Sequence, residues 1–515
     1  MNVLRVRMWN SDKDNPQLRF ALGIVFVMLA VGLFSLAFRA RNIVMELPLT
    51  EDGYYSLAIA RNIALGRGIT IDGTTWTNGF QPLFTFAIVP FYALTNGDRY
   101  ETLRYVIALH WIINVMTALL LGVIVETFLT SQGRQNRGGL AYWFTAILWI
   151  GSRYVMLNSY NGLETGCTLL FYTIAWRMYQ QGWTKGWRFD VLGIVLGFLV
   201  LSRIDAVLFV ALFATRELLR KEHSIKSRCT RFIRISAIPF IVSLPWWIYN
   251  VTIFGSFLPS SATAQAGPFT TSRLYPMFEN ILQVGAPYLQ IRWIQGYIQT
   301  SLQLIVVIVL VVVFYRLFVR QGRDDDSLYF AYTLFFSSML LGGYYLFYSG
   351  AVHFYGRYLS PIMLLSIPMT AICLTLVRRY ANMAYIASIV PLFGIAIASI
   401  IGWQAQVGVS RSPFYTNQLQ LIAYYVPTDE LVGAGQSGTI GYFRDKVINL
   451  DGKVNASALL YKTNMWKYLE QQNIVWYCDW DSTFLGADPM ANGWKTVATK
   501  GPFTLYHRQP KTAFP

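Results

Sequence analysis

The stretch Arg216-Glu217-Leu218-Leu219-Arg220-Lys221-Glu222-His223-Ser224-Ile225-Lys226-Ser227-Arg228 sits between two apolar runs, 205–217 and 235–254. Arg231 and Arg234 extend its positive charge. A basic cluster between apolar runs marks a loop on the cytoplasmic side of a membrane. Working outward, the apolar runs are read at about 19–38, 105–128, 139–153, 166–180, 189–202, 205–217, 235–254, 300–319, 327–348, 358–377 and 383–403. The other basic clusters are Arg5, Arg7 and Lys13; Arg134 and Arg137; Lys185 and Arg188; Arg316, Arg320 and Arg323; and Arg378 and Arg379. With eleven spans, each falls on the same side as the N-terminus, which puts the N-terminus in the cytoplasm and the tail outside. Arg39 and Arg41 run against the pattern at the mouth of the first external loop.

Composition agrees. The 515 residues are 54% hydrophobic and only 13% charged, against about a quarter charged in soluble domains. That excludes disorder and an ordinary cytosolic enzyme. The net charge of +16 lies in the short inter-span clusters, which argues against nucleic acid. Cys167, Cys229, Cys373 and Cys478 are far apart, so no disulfide framework is expected. The expected fold class is mainly α: a polytopic transmembrane helical bundle of about 11 spans over 1–403, with a small soluble extracytoplasmic α/β domain over 404–515. The expected location is a bacterial inner (plasma) membrane with a periplasmic tail.

Five motifs then fall on the external face. Thr50-Glu51-Asp52-Gly53-Tyr54-Tyr55-Ser56 opens an amphipathic helix expected to lie on the outer leaflet, its two acids in the favourable half of the helix dipole, where acids also serve as plain caps. Thr77-Asn78-Gly79-Phe80-Gln81-Pro82-Leu83 is a turn followed by a short interfacial or re-entrant helix, 82–95. Asn161-Gly162-Leu163-Glu164-Thr165-Gly166 puts an acid at an apolar helix start, again as a cap or a functional group. Arg203-Ile204-Asp205 is an ion pair between two short apolar runs; ionisable groups at membrane depth are functional candidates, though a pair can also simply break a hairpin. His353-Phe354-Tyr355-Gly356-Arg357-Tyr358 offers an arginine fork suited to phosphate, or an interfacial anchor with a tyrosine belt. Gly433-x-Gly435-x-x-Gly438 matches a dinucleotide fingerprint formally, but in an external tail its glycines read as backbone turns.

The ordered set resembles the GT-C membrane glycosyltransferases, and within them the bacterial branch that includes the mycobacterial arabinofuranosyltransferases. The segments that carry the resemblance are Glu51 to Tyr55, Ala60 to Gly68, Thr77 to Leu83, Gly162 to Thr165, Asn250 to Ser260, Arg357-Tyr358-x-x-Pro361 and Asn449 to Gly452. One departure is Glu51, where that family has aspartate. The resemblance implies inverting transfer of a sugar from a polyprenyl-phosphate donor to an extracytoplasmic glycan, lipid or protein acceptor. It implies Asp52 as the catalytic base, Glu51 as the second choice and Glu164 as the second-loop acid. Arg357, with His353 and Tyr355, would bind the donor phosphate, and Arg203, Asp205, Tyr54 and Asn78 are substrate-site candidates. No cofactor is required by this reading, although Asp52 and Glu164 could hold a Mg²⁺ or Mn²⁺ ion. A flippase or transporter of lipid-linked saccharides, or a non-catalytic envelope assembly protein, is the alternative.

Overall fold

The computed structural model describes residues 16–39, 48–132, 138–221, 224–290, 296–321, 325–377, 394, 414–486 and 488–508. Ten of the eleven apolar runs fall on described helices; 383–403, apart from residue 394, lies outside the described residues. The count of about eleven is not confirmed. Among the described residues, six helices are long and apolar enough to cross a membrane: Pro16–Phe38, Arg99–Ser131, Ile225–Phe254, Tyr297–Arg316, Asp326–Tyr348 and Val352–Thr375. A seventh results if Gly139–Ile150 and Arg153–Ser159, bent by 59°, form one span. Thr165–Gln180, Gly186–Ser202 and Val207–Leu219 have 16, 17 and 13 residues, short of the roughly 20 that a straight span needs. The chain is a multi-pass membrane protein with a helical bundle and a C-terminal sheet domain.

Two ends of the bundle carry buried charge. At one end, Arg220 pairs with Asp326 at 2.9 Å and Arg231 with the fully buried Glu217. At the other, Tyr345 donates to Asp205 at 2.7 Å. Asp326 and Tyr345 share one helix; their nineteen-residue separation is about 28 Å at 1.5 Å per residue, close to the hydrocarbon thickness. The Arg203–Asp205 pair therefore caps an end of the bundle rather than sitting at mid-depth. That removes the one feature that leaned toward a transporter, whose ionisable groups gather near the midplane.

The helix Glu51–Ala64 is also placed differently from the sequence expectation. Its residues from Gly53 to Ala60 are all buried, so it is sandwiched rather than laid on a leaflet. Leu65 caps it and Gly66, at φ 73°, takes the left-handed turn that ends it. Helix Pro82–Leu94 packs beside it; at 13 residues it is too short to cross.

The tail forms a five-stranded sheet of order β2-β1-β3-β5-β4, from Val432–Ala434 (β1), Val447–Asn449 (β2), Trp476–Asp479 (β3), Trp494–Lys500 (β4) and Phe503–Arg508 (β5). The first three strands are parallel; β5 and β4 are antiparallel additions. β1 is buried at every position, as a central parallel strand requires. Helices Phe414–Tyr425 and Met465–Gln471 cover the sheet, with Ile422 and Leu469 fully buried. All four cysteines are free.

Candidate active site

The site is built first from backbone. Thr50 donates its N–H (3.1 Å) and its hydroxyl (3.0 Å) to the carbonyl of Asn161. A Cβ on Gly53 would stand 2.3 Å from that same carbonyl oxygen, and Gly162, at φ 83°, closes the approach from the other side. Asp52 is thereby set beside the Gly162–Glu164 turn. A second joint uses Thr77-Asn78-Gly79. Asn78 Oδ1 accepts from Ser260 N–H at 3.0 Å, and Ser260 Oγ donates to the Lys453 carbonyl at 2.9 Å. A Cβ on Gly79 would lie 1.9 Å from that carbonyl oxygen. Gly79→Ala should accordingly push the tail off the bundle. Limited proteolysis should then release a tail fragment faster than from wild type; equal cleavage rates would mean that the joint is softer than it looks.

The tail is seated by Glu51. Its carboxylate accepts from Gly438 N–H, from Thr439 N–H at 2.9 Å and from Thr439 Oγ1 at 2.5 Å. Burial pushes the Glu51 carboxyl up to about 7, against these hydrogen bonds, which pull it down. The glycine-rich turn after β1 thus receives a side chain of its own chain, and Asp479 Oδ2 takes the Gly435 N–H at 2.7 Å and the Gln436 N–H at 3.1 Å. Tyr54 adds ring contacts to Tyr442 and Phe443, with centroids at 5.1 and 5.6 Å. Tyr442 donates to the Arg99 carbonyl at 2.6 Å and shares a 2.9 Å bond with Tyr92.

Between these joints lies a cluster of charge. Arg203 binds Glu164 at 3.0 Å and grips Asp205 through two N–H groups, with both Arg203 and Glu164 only 5% exposed. Its guanidinium also lies 5.1 Å from the Tyr358 ring, which stacks on Tyr345 at 3.7 Å. Gln81 Oε1 accepts the Ile204 N–H at 3.1 Å, fixing the helix break that carries the pair. Arg357 packs over Phe354 at 4.7 Å and Tyr358 at 5.5 Å. Its Nε and Nη1 are shielded from solvent and have no hydrogen-bond partner among the described residues. His353 is exposed beside Phe354, with ring centroids 4.0 Å apart.

The sequence candidates therefore separate by place. Asp52, Glu164, Arg203, Asp205, Arg357 and His353 converge at one end of the bundle. Glu51 and Tyr54 seat the tail, and Asn78 ties the joint at Ser260. Tyr355 is fully buried, and its hydroxyl is directed to the carbonyls of Tyr345 (3.3 Å) and Ser349 (3.4 Å) rather than to the cluster. One residue was missed. Lys453 Nζ lies 3.5 Å from Asp52 and 3.4 Å from Asp451. The signal was the Asn449 to Gly452 motif immediately before it, in which Asn449 Oδ1 accepts the Gly452 N–H at 3.1 Å and shapes the turn. The carboxylates do not suit a shared divalent ion. Asp52 already faces Lys453 and Glu164 faces Arg203, and among the described residues no group of three His, Cys, Asp or Glu could hold a metal.

No protein-family model matches the chain, and no curated protein matches it. Its shape does match solved structures. ArnT from Cupriavidus metallidurans bound to undecaprenyl phosphate superposes with TM-score 0.63 at 10% identity, covering 96% of this chain and 99% of that one. The same protein in the apo state gives 0.60 at 12% identity, with the same coverage. The archaeal oligosaccharyltransferase AglB from Archaeoglobus fulgidus, in complex with an inhibitory peptide and a dolichol-phosphate, gives 0.53 at 11% identity over 91% of this chain and 70% of that one. This chain shares the fold of ArnT and AglB. The likeness to ArnT runs through the tail domain as well as the bundle, since it covers all but a few per cent of the chain.

Proposed function

We propose that the chain is a GT-C membrane glycosyltransferase that moves a sugar from a polyprenyl-phosphate carrier to an extracytoplasmic glycan, lipid or protein acceptor, within the branch that includes the mycobacterial arabinofuranosyltransferases. The observation that carries this reading is the imbalance at the cluster. Arg203 and Lys453 each bridge two carboxylates, whereas Arg357 feels Glu164 and Asp52 only at a distance and its Nε and Nη1 have no hydrogen-bond acceptor among the described residues. A shielded guanidinium without an acceptor is costly unless a ligand supplies one. A lipid phosphate fits, because the planar fork of arginine matches its oxygens. Two of the similar structures hold a lipid phosphate, undecaprenyl phosphate in ArnT and dolichol-phosphate in AglB.

The reaction then follows. Asp52 takes the proton of the acceptor hydroxyl as its oxygen attacks the anomeric carbon. The bond from that carbon to the phosphate oxygen breaks with inversion, and the electron pair leaves on the polyprenyl phosphate. Arg357 meets the charge that builds there. Glu164 and Asp205 hold Arg203 in the wall of the site. In a deletion strain, mass spectrometry should show a polyprenyl-phosphate sugar accumulating and one envelope glycan losing that sugar. An unchanged lipid and glycan profile would defeat the reading.

Arg357 supplies a second test, on purified protein in nanodiscs with undecaprenyl phosphate as the probe. Hydrogen bonds to charged groups contribute about 1.5–3 kcal/mol, so Arg357→Ala should weaken binding by roughly 10–100-fold. Arg357→Lys should fall between, having the charge but not the fork. Unchanged affinity in well-folded Arg357→Ala would make the residue an interfacial anchor only.

A further inference from the structure

We propose that Lys453, carried by the tail domain, is a positioning residue for Asp52, so that the site is complete only when the tail is docked. This rests on Asp52 acting as the base.

Three observations carry the proposal. First, the lysine is held by its backbone. Its carbonyl is fixed by Ser260 Oγ and abutted by Gly79, and its N–H donates to Asp451 Oδ1 at 2.9 Å. Gly452, at φ 79°, makes the tight turn before it. The side chain therefore leaves the tail in one direction, across the joint. Second, the ammonium is mostly buried, with 19% side-chain exposure, and straddles two carboxylates that are each 15% exposed. Burying a lysine is unfavourable unless it is paired, and here one partner is its own Asp451 while the other, Asp52, belongs to the membrane bundle. The two carboxylates raise the lysine, so it is a cation throughout the ordinary pH range. Third, the residue next to Asp52 is the one that docks the tail. Glu51 enters the Gly438–Thr439 turn while Asp52, one position on, faces Lys453. Seating the tail and delivering the cation are one event.

The groups that face Asp52 are Glu51 and Tyr55 from its own helix, Asp451 and Lys453 from the tail, and His353, Arg357 and Tyr358 from the segment across the site. Lys453 is its one salt-bridge partner among the described residues. The ammonium fixes the direction of the Asp52 carboxylate across the joint. As the acceptor hydroxyl arrives, the carboxylate is already aimed. Lys453 also lies 5.8 Å from the Phe354 ring on which Arg357 packs, so a direct role on the phosphate must be separated from a role on Asp52.

The test uses the full chain in nanodiscs and, as donor, the lipid-linked sugar that accumulates in the deletion strain. Wild type, Lys453→Met, Lys453→Arg and Asp52→Asn are compared for turnover, donor KM, undecaprenyl phosphate affinity and thermal stability. A base left free to turn loses its alignment, so Lys453→Met should lose roughly tenfold or more in turnover. Donor KM and carrier affinity should stay within about twofold, and Lys453→Arg should recover most of the turnover. If Lys453→Met fails to fold, Lys453→Gln carries the same test. Wild-type turnover in well-folded Lys453→Met overturns the proposal, and so does a loss of carrier affinity in its place, which would assign Lys453 to the phosphate. Activity in Asp52→Asn is a different failure: it removes the base reading itself.

Discussion

Asp52→Asn should abolish most sugar transfer while the protein still folds, docks its tail and binds the carrier. Asparagine keeps the shape of aspartate and cannot take a proton. General-base catalysis contributes about 10²–10⁴-fold, and that is the expected loss in turnover. Undecaprenyl phosphate affinity should not fall, because Asp52 is paired with Lys453 and does not occupy the Nε and Nη1 of Arg357. Glu51→Gln should fail in another way. One carboxylate oxygen becomes an NH₂ group facing the N–H donors of Gly438 or Thr439, so the tail should loosen and proteolysis should speed up. If Glu51→Gln is inactive with its tail firmly seated, and Asp52→Asn is active, the roles of the two acids are reversed.

Arg203→Met should be the most destabilising single change at the site. Arg203 is the shared partner of Glu164 and Asp205. Removing it leaves two carboxylates facing each other with little water, Glu164 being 5% exposed and Asp205 17%. Breaking a buried charge network from one side costs about 3–5 kcal/mol. The thermal midpoint of the purified protein should fall clearly. Adding Glu164→Gln and Asp205→Asn should restore part of it, since neutral groups no longer require the guanidinium. A midpoint equal to wild type in Arg203→Met would show that water or the remaining cations already satisfy both acids.

What could be read from the sequence follows from how each interaction is encoded. The bilayer demands long apolar runs, and their positions were legible to within a few residues, as with 327–348 against Asp326–Tyr348. Which of them cross was not, because hydropathy does not distinguish a crossing helix from a short buried one such as Val207–Leu219. Asp52, Glu164 and Arg203 stood out because charge next to apolar runs is rare. Their grouping was foreseen only as a shared face, since the Arg203–Glu164 bond joins residues 39 apart. Glu51 and Asp52 could not be told apart. Consecutive helical residues point about 100° away from each other, and only the docked tail shows which one faces it. Lys453 left almost no trace, because a lysine in a soluble domain is ordinarily a surface residue.

The joint between bundle and tail is made largely where side chains are missing. Gly79 meets the carbonyl of Lys453 and Gly438 that of Glu51, each too close for a Cβ, and inside the bundle Gly53 meets the Asn161 carbonyl in the same way. Main-chain atoms are the same for every amino acid, so such a seam specifies a few glycines and leaves the surrounding letters open. A lineage can then exchange nearly every side chain on either side of the seam without moving the two halves apart. Overlap across 96% of the chain at 10% identity is what such a seam would permit. The geometry that brings Asp52 and Lys453 together can in this way outlast any recognisable text.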